Sequence, residues 1–461
     1  MTIVLTAFFV PFCLLILVQY GETLSPPEIG RRDAISKAAA AASIAISLKP
    51  SNAVSPDDLP TTTIGSANSG FDTETPIIHT IRSIENPPPI LSLPIKSPSM
   101  PTPSTLDIPR VGYSFYKTAA DKAERCAALA LRSGVTHLDI ATQYESNAEI
   151  GKTIRTYLRY GPTKLALDEK PELLKLMDDS YKYNMSTMQS KSKKRGSARR
   201  REELFLSHKL SNEEQSTDPD KIRRAVLETM DTLGVDYLDM VSIHSPLTNS
   251  ETRLATYRAL VDLQQGNDQT KSSPIIRSIG VCNYGLGPLK EIAAAGLPLP
   301  VVNQLELSPF NPHKDVVEWC DRNGVAVSCA AWSKLSGASG PGDQWNILNE
   351  IANKKGVTKA QALVRWSLQK GYICVPRSGC TYTIERVAIA ENSYGGAVVI
   401  KDGKVTTISN ADREESVILT PEEMAIIDGF DVNYKAGKLG RRDGWNDADV
   451  TGADWDPTDV I

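Results

Sequence analysis

Four residues could do chemistry together by type and order: Asp139, Tyr144, Lys209 and His244. Tyrosine is a poor acid near neutrality, with an ordinary pKa of about 10. An ammonium nearby favours the phenolate and lowers that value, and a carboxylate paired with the ammonium fixes where it sits. Asp139 and Tyr144 stand five positions apart, across what reads as a strand-to-loop turn. Lys209 ends the next strand and His244 the one after. Each residue alone has a plainer reading: Asp139 as a loop cap, Tyr144 as a surface aromatic, His244 as a satisfied core residue, Lys209 as a solvated charge. Their order along successive strands argues for a joint site.

The elements that must hold them recur from residue 108 onward. Short β-rich runs, several ending in a polar residue, alternate with helical patterns. Strands are expected at 108–112, 135–140, 204–207, 237–243, 275–281, 301–307, 325–331 and 372–375. Helices are expected at 124–133, 219–233, 253–264, 288–295, 316–323 and 358–369, the second with Asp218 as N-cap and Pro219 as its first residue. Strands alternating with helices imply a parallel sheet. Eight such units in ~290 residues fit a closed α/β barrel of the (β/α)8, or TIM-barrel, class better than an open doubly wound sheet. In such barrels active sites lie where the strand C-termini converge. An open sheet is the runner-up, but no G-x-G-x-x-G follows an early strand.

The segments GVTHLDIATQYESNAEIG (134–151), LFLSHKL (204–210), LDMVSIHSP (238–246), IGVCN (279–283), VVNQLELSPF (301–310), AWSKL (331–335) and CVPRS (374–378) resemble, in order, those of the aldo-keto reductase family. The resemblance runs from about Pro109 to Pro457. It implies that Tyr144 is a general acid tuned by Lys209, that Asp139 partners Lys209, and that His244 orients a carbonyl oxygen. Hydride would come from a nicotinamide cofactor, so no metal is needed. The resemblance also implies that Asn283 and Gln304 hold the carboxamide, that Trp332 stacks on the ring, and that Ser333 and Leu335 begin the loop over the pyrophosphate. Arg377, Ser378 and Arg386 match positions at the 2′-phosphate, and Asn392, with Glu391, matches an adenine contact. Arginine suits phosphate through bidentate bonds, which favours NADPH over NADH. The plainer reading of Arg377 and Arg386 is a solvated charge.

Several positions depart from the family pattern. Cys282 stands where serine is common, and a thiol donates weakly, so carboxamide binding is expected to loosen. Ser245 stands where many members have tryptophan, which hints at a smaller or more polar substrate. The loop after Ser378 is longer than the pattern and shifts the register of Arg386 and Asn392. Two insertions are expected, 161–203 and 397–417. The first contains seven basic residues among the eleven at 191–201 and reads as a solvated loop, with an anionic-partner patch as the alternative. The second opens with a hairpin at 397–408. A final helix at 420–430 has Thr420 as N-cap with Glu423 three residues on, and the tail to Ile461 would fold over the barrel mouth.

The rest of the 461 residues is a matter of address. Residues 3–18 carry no charge, short of the ~20 apolar residues of a spanning helix and interrupted by Pro11. Residues 1–24 therefore read as a signal peptide, with a signal anchor as the alternative. Arg31-Arg32, an alanine-rich stretch at 38–45 and Ser51-Asn52-Ala53 read as a second targeting element, and residues 25–104 as that element followed by an unstructured linker. Two addresses in series resemble plastid import signals reached through the secretory pathway; the ER lumen or secretion is the alternative. The barrel is expected over 105–461. Composition, 41% hydrophobic and 23% charged, is that of a globular protein, and a net charge of −4 gives no reason to expect nucleic acid. Seven cysteines without a C-x-x-C pair suggest neither zinc nor a disulfide framework. A small-molecule carbonyl and a monomer are expected, with membrane contact only through the N-terminal segment. The rival functions are a nicotinamide-binding regulatory subunit and a dehydrogenase using NAD.

Overall fold

The computed structural model describes residues 90–95, 104–116, 118–165, 167–168, 171–187, 196–266, 275–330, 343–377, 398–401, 404–407, 418–431 and 458. All lie in the unit Asp72–Ile461. A hairpin comes first, β1 (Ile90–Ile95) pairing antiparallel with β2 (Ser104–Pro109). Eight strands follow in one sheet in sequential order: β3 (Gly112–Ser114), β4 (His137–Ala141), β5 (Phe205–Leu210), β6 (Met240–Ile243), β7 (Ile279–Cys282), β8 (Val302–Leu305), β9 (Ala326–Cys329) and β10 (Ile373–Cys374). Every neighbouring pair in it is parallel. The sheet closes on itself, since Val111 bridges Cys374 in parallel and the Cys374 N–H donates to the Arg110 carbonyl at 2.7 Å. This is the expected eight-stranded barrel.

The helices are α1 (Ala120–Arg132), α2 (Asn147–Tyr160), α3 (Pro171–Thr187), α4 (Gly196–Glu203), α5 (Pro219–Leu233), α6 (Ser250–Gln265), α7 (Leu286–Ala294), α8 (Lys314–Arg322), α9 (Asp343–Lys355) and α10 (Lys359–Gln369). A second hairpin, β11 (Val398–Lys401) with β12 (Lys404–Thr407), precedes α11 (Pro421–Asp428). Their starts follow local chemistry. Asp218 accepts the Asp220 N–H at 3.0 Å to cap α5. Thr358 and Thr420 close capping boxes with Gln361 and Glu423 at α10 and α11.

The structure corrects three expectations. The first strand does not run through 108–112: Ile108 belongs to β2, and the barrel begins at Gly112. The stretch up to 104 is not all outside the packed core either. Leu91 and Leu93 of β1, with Leu106 and Ile108 of β2, are buried against Phe205, Met240, Val302, Ala326 and Ile373. All five are the first residues of their strands, so the hairpin plugs the N-terminal mouth of the barrel. Each aliphatic side chain buried there contributes about 1.5–3 kcal/mol.

The third correction concerns 161–203, which folds into α3 and α4 rather than a solvated loop. Leu174, Met177, Tyr181 and Asn184 of α3 recur at helical spacing and turn inward. Asp178 takes both arms of Arg132, at 3.0 and 3.2 Å, and Asn184 donates to the Ser133 carbonyl at 2.8 Å. From the basic run, Arg200 donates to the Leu158 carbonyl and Arg201 is buried against Asp239; residues 191–195 lie outside the described set. α9 was not expected at all. Among the described residues no helix is long and apolar enough to cross a membrane. Cys282, Cys320, Cys329 and Cys374 are reduced and buried.

Candidate active site

Asp139 stands in the middle of β4 with its side chain buried inside the barrel. β4 and β5 pair in register, so Asp139 lies beside Ser207, and Ala141 beside Lys209. Period-2 alternation then puts Ser207 and Lys209 on one face of β5. The Lys209 ammonium donates to Asp139 Oδ1. Ser207 Oγ lies 3.2 Å and Gln304 Nε2, from β8, 3.1 Å from the same oxygen. Asp139 Oδ2 is buried and has no partner among the described residues. His137, two residues earlier, contacts the Pro109 carbonyl through Nδ1 at 3.0 Å and Ser207 Oγ through Nε2 at 3.2 Å.

Tyr144 ends a 3-10 turn, Thr142–Tyr144, just after β4. Lys209 Nζ lies 5.3 Å from its ring centroid. The rings of His244 and Tyr116 meet it edge-on, each with centroids 5.8 Å away. His244 follows β6, and its backbone N–H donates to the Leu210 carbonyl at 3.0 Å. Thus the four residues named from sequence converge at the C-terminal mouth, from β4, its following turn, β5 and the end of β6.

The electrostatics corrects one expectation. Burial would push Asp139 up, but the Lys209 ammonium and its hydrogen bonds prevail and hold the carboxyl below its ordinary value. Burial would lower Lys209, yet Asp139 and then Tyr144 hold it above the usual lysine range. Tyr144 moves up, not down. Burial is the largest cause, and Lys209 opposes it without overcoming it. The ammonium acts in the expected direction, but part of its field is neutralised by Asp139.

The cofactor-side residues fall into two groups. Asn283 sits in the left-handed region, φ 59°, which asparagine tolerates. Its side-chain amide donates to the His244 carbonyl at 3.0 Å, and its backbone N–H to the Gln304 carbonyl at 2.8 Å. Gln304 braces Asp139, and the Cys282 thiol, pushed up to about 12 by burial, lies 3.9 Å from Gln304 Oε1. Arg377 is half-buried just beyond β10. Trp332, Ser333, Leu335, Ser378, Arg386 and Asn392 lie outside the described residues, as does Glu391. The Ser245 hydroxyl, where a larger side chain was expected to be missing, donates to Asn212 Oδ1 at 2.6 Å. Thr458 from the C-terminal tail packs on Gly285, two residues past Asn283; a Cβ there would lie 1.8 Å from the Thr458 carbonyl oxygen. Among the described residues no cluster of three or more His, Cys, Asp or Glu is placed to hold a metal.

Sequence reasoning missed Ser207, His137 and the contacts around Thr142. The first two had a signal: each lies two residues before a named strand residue, Lys209 or Asp139, and so shares its face.

A barrel with a buried lysine–aspartate pair beneath a tyrosine and an imidazole at its C-terminal mouth is a site built to move a proton. The model of the aldo/keto reductase family matches residues 112–430. An aldo-keto reductase of Mycolicibacterium smegmatis is 31% identical over 275 residues, 59% of this chain and 79% of its own length. A methylglyoxal reductase of Salmonella typhimurium is 25% identical over 272 residues, 59% and 79% of the two chains. A Bombyx mori aldo-keto reductase solved in complex with NADP covers 75% of this chain and 96% of its own, at 22% identity and a TM-score of 0.52, and bears on the fold. The chain belongs to the aldo/keto reductase family, oxidoreductases that act on carbonyl groups.

Proposed function

We propose that the protein reduces an aldehyde or ketone to an alcohol with NADPH, using Tyr144 as the proton donor. The observation that carries this reading is the buried Lys209–Asp139 pair beneath a tyrosine held in its protonated form. A general acid must carry its proton at working pH, and burial ensures that here. When the phenol gives up that proton, the Lys209 ammonium stabilises the phenolate. His244 meets the Tyr144 ring edge-on, where it would steer the carbonyl oxygen.

The residues present fit a dinucleotide. Asp139 Oδ2 is a buried acceptor with no partner among the described residues, which a ligand hydroxyl would satisfy. Asn283 Oδ1 and Gln304 would hold the carboxamide, and Arg377 beyond β10 would favour a 2′-phosphate. Trp332, Ser333, Leu335, Ser378, Arg386 and Asn392 complete the proposed cofactor site. When bound, the nicotinamide supplies the hydride. We further propose a monomer, addressed by residues 1–24 and 25–104 to an organelle reached through the secretory pathway, a plastid by preference.

The test is a fluorescence titration with NADPH and NADH, followed by turnover of an aldehyde panel that includes methylglyoxal, in wild type and Tyr144→Phe. We expect tighter binding of NADPH, turnover in wild type, and a loss in Tyr144→Phe of about 10²–10⁴-fold with NADPH binding retained. Full turnover by Tyr144→Phe would remove the assigned acid. Tight binding without any turnover would favour the regulatory subunit.

A further inference from the structure

A second hydrogen-bonded line ends on the turn that carries Tyr144, and it shares no atom with the Lys209–Asp139 pair. Thr142 opens that turn. Its Oγ1 donates to Glu214 Oε1 at 3.1 Å and lies 3.2 Å from His208 Nε2. The same His208 nitrogen lies 3.3 Å from Thr229 Oγ1 on α5. Glu214 is itself anchored: its Oε2 accepts the Ser211 N–H at 2.6 Å, and its own N–H donates to Ser211 Oγ at 3.3 Å.

The direction of the line follows from counting protons. A threonine hydroxyl has one. A carboxylate can only accept, so that proton goes to Glu214, and Thr142 Oγ1 must accept from His208. This fixes the Nε2–H tautomer and leaves Nδ1 bare. Nδ1 is buried and has no partner among the described residues. A neutral ring is what the surroundings favour, since burial and then the Lys209 charge push His208 down to about 3.

The turn needs such an anchor. Glu145, directly after Tyr144, has φ 52°, a left-handed conformation that costs a non-glycine residue of order 1–3 kcal/mol. The bond that closes the turn, from the Glu145 N–H to the Thr142 carbonyl, is 3.2 Å long.

We propose that Thr142, clamped between Glu214 and His208, is a positioning residue that holds the 3-10 turn so that the Tyr144 hydroxyl meets the substrate oxygen above Lys209. This rests on the assignment of Tyr144 as the proton donor. The clamp acts through the tyrosine turn. A misplacement of about 1 Å at a reacting group costs about 100-fold in rate, so a loosened turn should be read in kcat.

The experiment compares Thr142→Val, which keeps shape and loses the hydroxyl, with Thr142→Ser, which keeps the hydroxyl, and with Glu214→Ala. Measured are kcat and KM for an aldehyde that wild type turns over, NADPH affinity by fluorescence, and amide exchange at residues 144–145. We expect Thr142→Val to lower kcat by about 10–100-fold, to leave NADPH affinity within about twofold, and to speed exchange at Glu145. Thr142→Ser should restore kcat, and Glu214→Ala should repeat the loss. Should Thr142→Val fail to fold, Glu214→Ala with Thr142→Ser carries the comparison. Unchanged kcat in the folded variants, or equal losses in Thr142→Ser and Thr142→Val, overturns the proposal. Tyr144→Phe is the control that separates two failures. If it keeps turnover, the acid assignment is wrong; if it is inactive while Thr142→Val is normal, only the clamp is wrong.

Discussion

The barrel buries two aspartates about equally deeply and treats them in opposite ways. Asp239, just before β6, is saturated. Its Oδ2 accepts from Arg201 at 2.9 Å and from the Leu206 N–H at 3.0 Å, and its Oδ1 from Arg277 at 3.2 Å. Its carbonyl takes the Ser278 hydroxyl at 2.6 Å, and the Arg201 guanidinium lies 3.6 Å from the centroid of the Tyr237 ring. Asp139 instead gathers the Lys209 ammonium, the Gln304 amide and the Ser207 hydroxyl around one oxygen and leaves the other bare. Its cation is a single lysine, which it holds charged; the cations of Asp239 are two arginines. A carboxylate that only holds strands together is satisfied at both oxygens. Asp139, in the candidate site, keeps an oxygen in reserve beside an ammonium that it holds charged.

The sharpest way to break this comparison is to remove each charge in turn. Asp139→Asn should lower kcat by at least about 10²-fold, because Lys209 loses the group that fixes its place and its charge. Asp239→Asn should leave kcat of the folded protein nearly unchanged but cost about 3 kcal/mol in urea unfolding, since two arginines lose their counter-ion. The two deficits should differ in pH dependence. In Asp139→Asn the largest cause that holds Lys209 up is gone, and burial, opposed only by Tyr144 and Cys282, lowers its folded pKa below the unfolded value of about 10.4. The unfolded state then binds more protons, so the variant regains stability as pH rises from 7 toward 10. The Asp239→Asn deficit should stay flat over that range. Parallel pH curves for the two variants would erase the distinction.

How much of this could be read beforehand follows the same divide. The strand rhythm, the caps at Asp218 and Thr420, and the order Asp139, Tyr144, Lys209, His244 are local or period-2 signals, and they survive into the structure. The partners of Asp139 and Asp239 are not local. Ser207 lies 68 residues from Asp139 and Gln304 165, and only strand register brings them to one carboxylate. The inward stripe Leu174, Met177, Tyr181 and Asn184 was legible, but the basic run that follows drew attention to the surface; Arg201 of that run ends up inside. The alternating apolar residues of Ile90–Ile95 were hidden by flanking prolines and serines. The net direction of Tyr144's shift could not be read from types alone, because burial competes with Lys209.

A gentler test uses proton binding at the upper end of the barrel. His208 stays neutral in the fold down to about pH 3, while an unfolded histidine titrates near 6.5. Between those values the unfolded chain binds a proton that the fold refuses. The stability is therefore complete above pH 6.5 and falls as pH drops toward 3, by about 1.4 kcal/mol per pH unit for this residue. His137, also lowered by burial, acts in the same direction. His208→Gln should remove its share of the slope in urea unfolding at pH 7, 6 and 5. The arginines around Asp239 contribute none of it, so an unchanged slope in His208→Gln would mean that the acid-sensitive groups lie elsewhere than beside Asp139.

The smallest effect is expected at Cys282, which reaches the reserve side of the comparison through its contact with Gln304. The thiol is a weak donor at 3.9 Å from Gln304 Oε1, and the same glutamine donates to Asp139 through Nε2. Cys282→Ser offers a stronger donor of similar shape, which should steady the Gln304 amide with Nε2 turned to Asp139. The gain of one better hydrogen bond is at most about 1 kcal/mol, so NADPH should bind tighter by less than about fivefold, with kcat unaltered. Weaker binding in Cys282→Ser would mean that Gln304 must turn away from Asp139 to hold the carboxamide, and that Asp139 gives up a donor when the cofactor arrives.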